Sequence, residues 1–127
     1  MYAVVPTPGQ VRIFLADAHP DESLGAWRET LGIADIRAAV SAIVIGDFLY
    51  VLGGGQEPQA NVLIGRLDRE TGAVLSWNSD LANSFVGQRA TPSVIARGNR
   101  LYINAGFSTG GQMADIDPAS GNLINWR

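Results

Sequence analysis

The chain has 127 residues, 46% hydrophobic and 17% charged, with a net charge of −3. That balance lacks the basic stripe a nucleic-acid binder needs, and the absence of cysteine removes disulfides and thiol chemistry. No apolar run is long enough for a membrane-spanning helix, so no membrane span is expected.

From the N-terminus, Tyr2-Ala3-Val4-Val5 and residues 11–16 read as short strands, and a further strand is expected over 25–28. Between them lies the long turn Asp17-Ala18-His19-Pro20-Asp21-Glu22-Ser23-Leu24-Gly25. Nothing ahead of Tyr2 can serve as a preceding strand, so this first unit is expected to be incomplete. Residues 28–42 carry Ala and Leu of helical character. They are taken as a crossover and strand start with one helical turn at most. Four strands are then expected at 40–45, 48–52, 62–67 and 74–77. The breaks between them fall at Gly46-Asp47, Gly53-Gly54-Gly55 and Glu70-Thr71-Gly72. Glycine accepts the positive φ of tight turns, and a Gly-Asp pair between apolar runs is a hairpin signal. A third unit repeats the plan, with residues 92–96, Gly98-Asn99, Leu101-Tyr102-Ile103-Asn104-Ala105-Gly106 and Asp117-Pro118-Ala119-Ser120-Gly121.

The repeat is visible in the aromatic residues. Trp27, Trp77 and Trp126 are 50 and 49 residues apart, Tyr2, Tyr50 and Tyr102 are 48 and 52 apart, and Arg37 and Arg89 are 52 apart. A period near 50 marks a supersecondary unit that cannot bury its apolar face alone and must stack on neighbours. A four-stranded antiparallel meander of this length is a propeller blade. The expected fold is therefore all-β, a partial β-propeller of about three blades over 1–32, 33–81 and 82–127. Trp27, Trp77, Trp126, Tyr50 and Tyr102 are expected to pack between blades. Gly53, Gly54, Asp68, Gly72, Gly106, Asp117 and Gly121 are expected to shape the turns.

The run Gly46-Asp47-Phe48-Leu49-Tyr50-Val51-Leu52-Gly53-Gly54, followed by Trp77, resembles a kelch repeat. The run Asp68-Arg69-Glu70-Thr71-Gly72 and its Trp77 is also similar to the Asp-x-x-Thr-Gly element of bacterial propellers, including envelope or secreted repeat proteins and quinone-dependent dehydrogenases. The resemblance implies a propeller of a secreted or cell-envelope bacterial protein. It departs at Ala105-Gly106, where a double glycine is expected, and in the first turn, which lacks Thr-Gly. It matches structural positions alone, so no catalytic or cofactor-binding residue is carried over, and no cofactor is implied.

Metal-type ligands cluster at Asp17, His19 and Asp21, yet an exposed turn stiffened by Pro20 accounts for the same residues. Gly53-Gly54-Gly55 lacks the helix and lysine of a phosphate loop. One histidine and no Gly-x-Ser-x-Gly context leave a hydrolytic triad without support. The expected function is a non-catalytic scaffold for protein or glycan binding, in which the loops 57–61, 83–89 and 108–112 meet the partner. A propeller needs roughly four to eight blades. Three blades leave apolar end faces open to self-association or a protein partner. The alternative is a subunit or fragment of a propeller enzyme whose active site needs further blades.

Overall fold

The computed structural model describes residues 1–34, 40–54, 59–86, 92–104 and 110–127. The described residues are all-β, in three antiparallel sheets joined as simple meanders. The first sheet holds β1 (Tyr2–Thr7), β2 (Gln10–Leu15) and β3 (Arg28–Ile33). The second holds β4 (Ser41–Ile45), β5 (Phe48–Leu52), β6 (Val62–Leu67) and β7 (Val74–Asn78). The third holds β8 (Ser93–Arg97), β9 (Arg100–Asn104), β10 (Gly111–Ile116) and β11 (Leu123–Ile124). One turn of 3-10 helix, Leu81–Asn83, follows β7 and is capped by the Asp80 carboxylate on the Ala82 amide.

The turn chemistry explains the hairpins. Ile45 pairs with Phe48 across Gly46-Asp47, and Arg97 pairs with Arg100 across Gly98-Asn99. Gly46 and Gly98 take φ of +58° and +60°, the left-handed geometry that glycine adopts without a Cβ penalty.

Two expectations need correction in the first sheet. Its last strand begins at Arg28 rather than covering 25–28, and the stretch read as crossover with a helical turn is a strand as far as Ile33. Arg28 and Glu29 are drawn into pairing by Leu15 and Phe14 opposite them. Residues 35–39 lie outside the described set.

A backbone bond repeated in each sheet fixes which residues correspond. Ala16 N–H donates to Met1 O at 3.0 Å, Leu67 N–H to Asp47 O at 2.8 Å, and Ile116 N–H to Asn99 O at 2.7 Å. Counting along β1, β5 and β9 from these anchors matches Val4 with Tyr50 and Tyr102, and Tyr2 with Phe48 and Arg100. The last strands agree. Gly65 faces Trp77 in one sheet where Phe14 faces Glu29 in the other. Trp27 is therefore not the counterpart of Trp77. It precedes β3, is 46% exposed, and takes no part in the packing expected of it.

The core forms in two layers. Val11, Ile13 and Ile33 of the first sheet meet Leu49, Val51, Leu63, Leu67 and Val74 of the second. On the second sheet's other face, Phe48, Tyr50, Leu52, Val62 and Ile64 meet Leu101, Ile103, Ala114, Ile116 and Leu123 of the third. The second sheet thus lies between the other two, which is why β5 is buried along its whole length. A strand covered on both faces reads as a continuous apolar run rather than an alternating one.

Candidate functional site

The Asp turns are built by their carboxylates. Asp68 Oδ1 accepts the amides of Glu70 at 2.9 Å and Thr71 at 2.8 Å, while Gly72 N–H returns to Asp68 O at 2.8 Å. Asp117 repeats the closure, accepting from Gly121 N–H on its carbonyl at 2.7 Å and from Ser120 Oγ on its carboxylate at 2.5 Å. These donors hold both carboxyls below the usual carboxylate range, the Thr71 amide leading at Asp68 and the Ser120 hydroxyl at Asp117.

The first turn closes through the same backbone bond, Gly25 N–H to Asp17 O at 2.9 Å, but its side chains are used differently. Arg28 holds the Asp17 carboxylate through two bonds of 3.1 Å and lowers its pKa. Asp21 Oδ1 accepts from Ser23 N and Oγ, which lowers its pKa too. Asp17, His19 and Asp21 are not brought together as ligands. Among the described residues no group of three or more His, Cys, Asp or Glu could hold a metal ion.

The glycine at the end of each later turn receives a tyrosine from the preceding sheet. Tyr2 Oη donates to Gly72 O at 2.5 Å, and Tyr50 Oη donates to Gly121 O at 2.8 Å. Tyr50 is fully buried, and this burial, with a smaller contribution from the Asp117 charge, pushes its phenol well above the usual range. Tyr2 sits two residues out of register with Tyr50 yet makes the equivalent bridge. The fit around Gly121 is tight, since a Cβ there would come within 2.5 Å of the Phe48 ring. Trp77 adds a second tie between the first two sheets. Its Nε1 donates to Leu31 O at 3.1 Å, and its ring lies over Gly65, where a Cβ would approach to 2.9 Å. Trp126 packs against the core between the second and third sheets.

The third sheet carries Tyr102 between the buried Leu101 and Ile103, and so on the face away from the second sheet. Around it stands a charged set. Arg100 Nε donates to Asp115 Oδ1 at 2.8 Å, and Arg127 and Asn125 also reach the Asp115 carboxylate. Arg100 leads in lowering the Asp115 pKa to about 2. Arg97, Asn99, Arg100 and Tyr102 line a shallow polar cavity there.

The described parts of the expected contact loops are divided, with Ala60, Asn61, Asn83 and Phe85 buried and Gln59, Val86, Gly110 and Gly111 exposed. Buried Asn61 donates to Phe85 O at 2.8 Å and accepts from Phe85 N–H at 3.0 Å. Buried Asn83 accepts from Leu123 N–H at 2.7 Å, and Asn78 donates to Asn122 Oδ1 at 2.8 Å. Gln112 is hydrogen-bonded to both backbone groups of Val86. These side chains clamp one loop to another. The sequence reading missed them because a polar loop looks the same whether its asparagines point to water or inward. A lone Asn beside a buried apolar run, as Asn61 precedes Val62, is the one local hint. Gly53 and Gly54 take positive φ, +87° and +71°. Arg37, Gly55, Glu57, Arg89, Ala105, Gly106 and Ser108 lie outside the described residues.

Among the described residues no helix is long and apolar enough to cross a membrane. Set against known protein families, curated proteins and solved structures, the chain matches none.

Proposed function

We propose that the chain is a non-catalytic β-propeller scaffold, three consecutive blades of kelch-like or quinoprotein-like type, which binds a protein or glycan partner and assembles through its end sheets. The observation that carries this reading is the tyrosine bridge made twice in the same sense, from Tyr2 to Gly72 and from Tyr50 to Gly121. A bond that steps from each sheet to the next is a rule for adding sheets, and Tyr102 presents the same side chain on an outer face. Like strands also neighbour like strands, β4 against β8 and β3 against β7, as they do when sheets turn about a common axis. Among the described residues the aspartates and Glu29 are engaged by arginines, serines and nearby amides rather than gathered in a cleft, which favours the scaffold over the enzyme alternative.

Function then resides on the edges and faces of a rigid stack. The test is the mass of the native protein by light scattering after size exclusion. A multiple of the 13.5 kDa chain mass is expected, with a dimer giving a six-sheet ring. A folded monomer at all concentrations would overturn the assembly.

A further inference from the structure

We infer that the open edge of β1 is a docking groove for an extended peptide strand of the β8 kind, running antiparallel to β1 as β4 and β8 run against β5 and β9. The inference rests on the internal repeat, not on closure of a ring. Among the described residues the second and third sheets each have four strands, and the first has three, lacking the counterpart of β4 and β8. Every described strand already has a place in a sheet, so none is left over to fill the gap.

Three further observations mark the vacancy. The first is a cavity of about 330 Å³ beside the β1 edge, lined by Met1, Tyr2, Ala42, Ile43, Val44 and Leu49. The second is the state of its floor. Ala42 and Val44 of β4 are exposed, Val44 by 43%, whereas their counterparts on β8, Val94 and Ala96, pack against the core. A strand seated on β1 would cover Ala42 and Val44 and would continue the row in which β4 meets β8. The third is the backbone itself. Met1 and Ala16 exchange both of their hydrogen bonds. In an antiparallel ladder the bonding alternates, so Tyr2, Val4 and Pro6 turn their backbone groups away from β2. Pro6 has no N–H to offer, which leaves Tyr2 and Val4 as the donors on an edge that no described strand pairs. Such an edge takes a strand through main-chain bonds, with alternate side chains filling the groove.

The register predicts the pairing. Ile95 faces Tyr102 and Arg97 faces Arg100 in the third sheet. A peptide copying residues 92–98, Pro-Ser-Val-Ile-Ala-Arg-Gly, would therefore set its Ile opposite Val4 and its Arg opposite Tyr2. The experiment is fluorescence anisotropy with that peptide, labelled at one end, against the 127-residue chain. Saturable binding is expected. N-methylation at the Ile and Arg positions should weaken it by about tenfold or more, since two hydrogen bonds are lost. N-methylation at the Val and Ala positions, whose amides point away from β1, should leave it within about threefold. Val44→Glu, at an exposed site, should abolish binding with the unfolding midpoint unchanged. Absence of saturable binding, equal affinity of the two methylated peptides, or undiminished binding to Val44→Glu would each overturn the proposal. None of these outcomes depends on the mass of the native assembly, so the two readings fail separately.

Discussion

The second and third sheets share strand order, hairpins and Asp turns, and differ in what covers them. Where the second sheet pairs Phe48 with Arg66 across β5 and β6, the third pairs Arg100 with Asp115 across β9 and β10. Ile45 of β4 corresponds to Arg97 of β8, and Leu52 to Asn104. The same backbone thus carries an apolar face where a neighbour lies on it and a charged, hydrogen-bonded face where none of the described sheets does. Only the cross-strand pair is kept, Ile43 with Tyr50 and Ile95 with Tyr102. Backbone plan and face chemistry are set by separate residues: turn glycines and aspartates write the first, and every second residue of the inner strands writes the second.

The sharpest way to break this comparison is at the turns. Gly121→Ala combines a left-handed φ of +76° with a Cβ driven into the Phe48 ring at 2.5 Å. The conformational penalty is about 1–2 kcal/mol and overpacking adds about 1–3 kcal/mol, so a loss of about 2–5 kcal/mol is expected. Gly98→Ala, at φ +60° with nothing within 4 Å of its Cβ, should cost the conformational part alone, about 1–2 kcal/mol. Denaturant midpoints for the pair would decide the matter, and equal losses would mean that the contact between the two sheets carries no weight.

The next effect separates the two tyrosines. Tyr50→Phe removes the donor to Gly121 O and leaves a buried carbonyl unsatisfied, which costs about 1–3 kcal/mol. Tyr102→Phe, on the outer face, should change the stability of the isolated chain by less than about 0.5 kcal/mol. Should Tyr102→Phe prove as costly as Tyr50→Phe, the third sheet's outer face would already be covered in solution.

Much of this plan could be read from the chain, and the parts that could not share a cause. Phe48–Leu52 and Val62–Leu67 stood out because the Gly46-Asp47 pair and the apolar runs agree locally. Asp68 and Asp117 were legible because an Asx turn is made within five residues. The first unit misled because Tyr2 and Trp27 each fall two residues from the positions that correspond to Tyr50 and Trp77. A turn from Asp17 to Gly25, four residues longer than its counterparts, kept the tryptophan spacing near 50 while shifting the register. Strand β3 was obscured because its pairing with β2 is a tertiary fact that Ala and Leu content cannot report. The Tyr-to-Gly bridges span 70 and 71 residues, and no local pattern announces them. The open β1 edge was half visible: the missing strand could be counted, but the groove beside it depends on where β4 comes to lie.

The smallest expected effect concerns the charged face of the third sheet. Asp115 has a folded pKa of about 2, lowered first by the Arg100 hydrogen bond and then by Asn125 and Arg127. In the unfolded chain an aspartate titrates near about 3.9. The folded state therefore prefers the ionised form, and its contribution is complete above about pH 4 and lost as pH falls from about 4 toward about 2. Asp115→Asn removes that titration, so its stability curve should fall less steeply through this window than that of the parent. Asp68 and Asp117, also lowered, keep some acid sensitivity in the variant. Chemical denaturation at stepped pH reads the difference in slope, and parallel curves for parent and Asp115→Asn would mean that the arginines on this face reach past Asp115 to solvent. In that event the charged set would be free to meet an acidic partner, rather than closed upon itself.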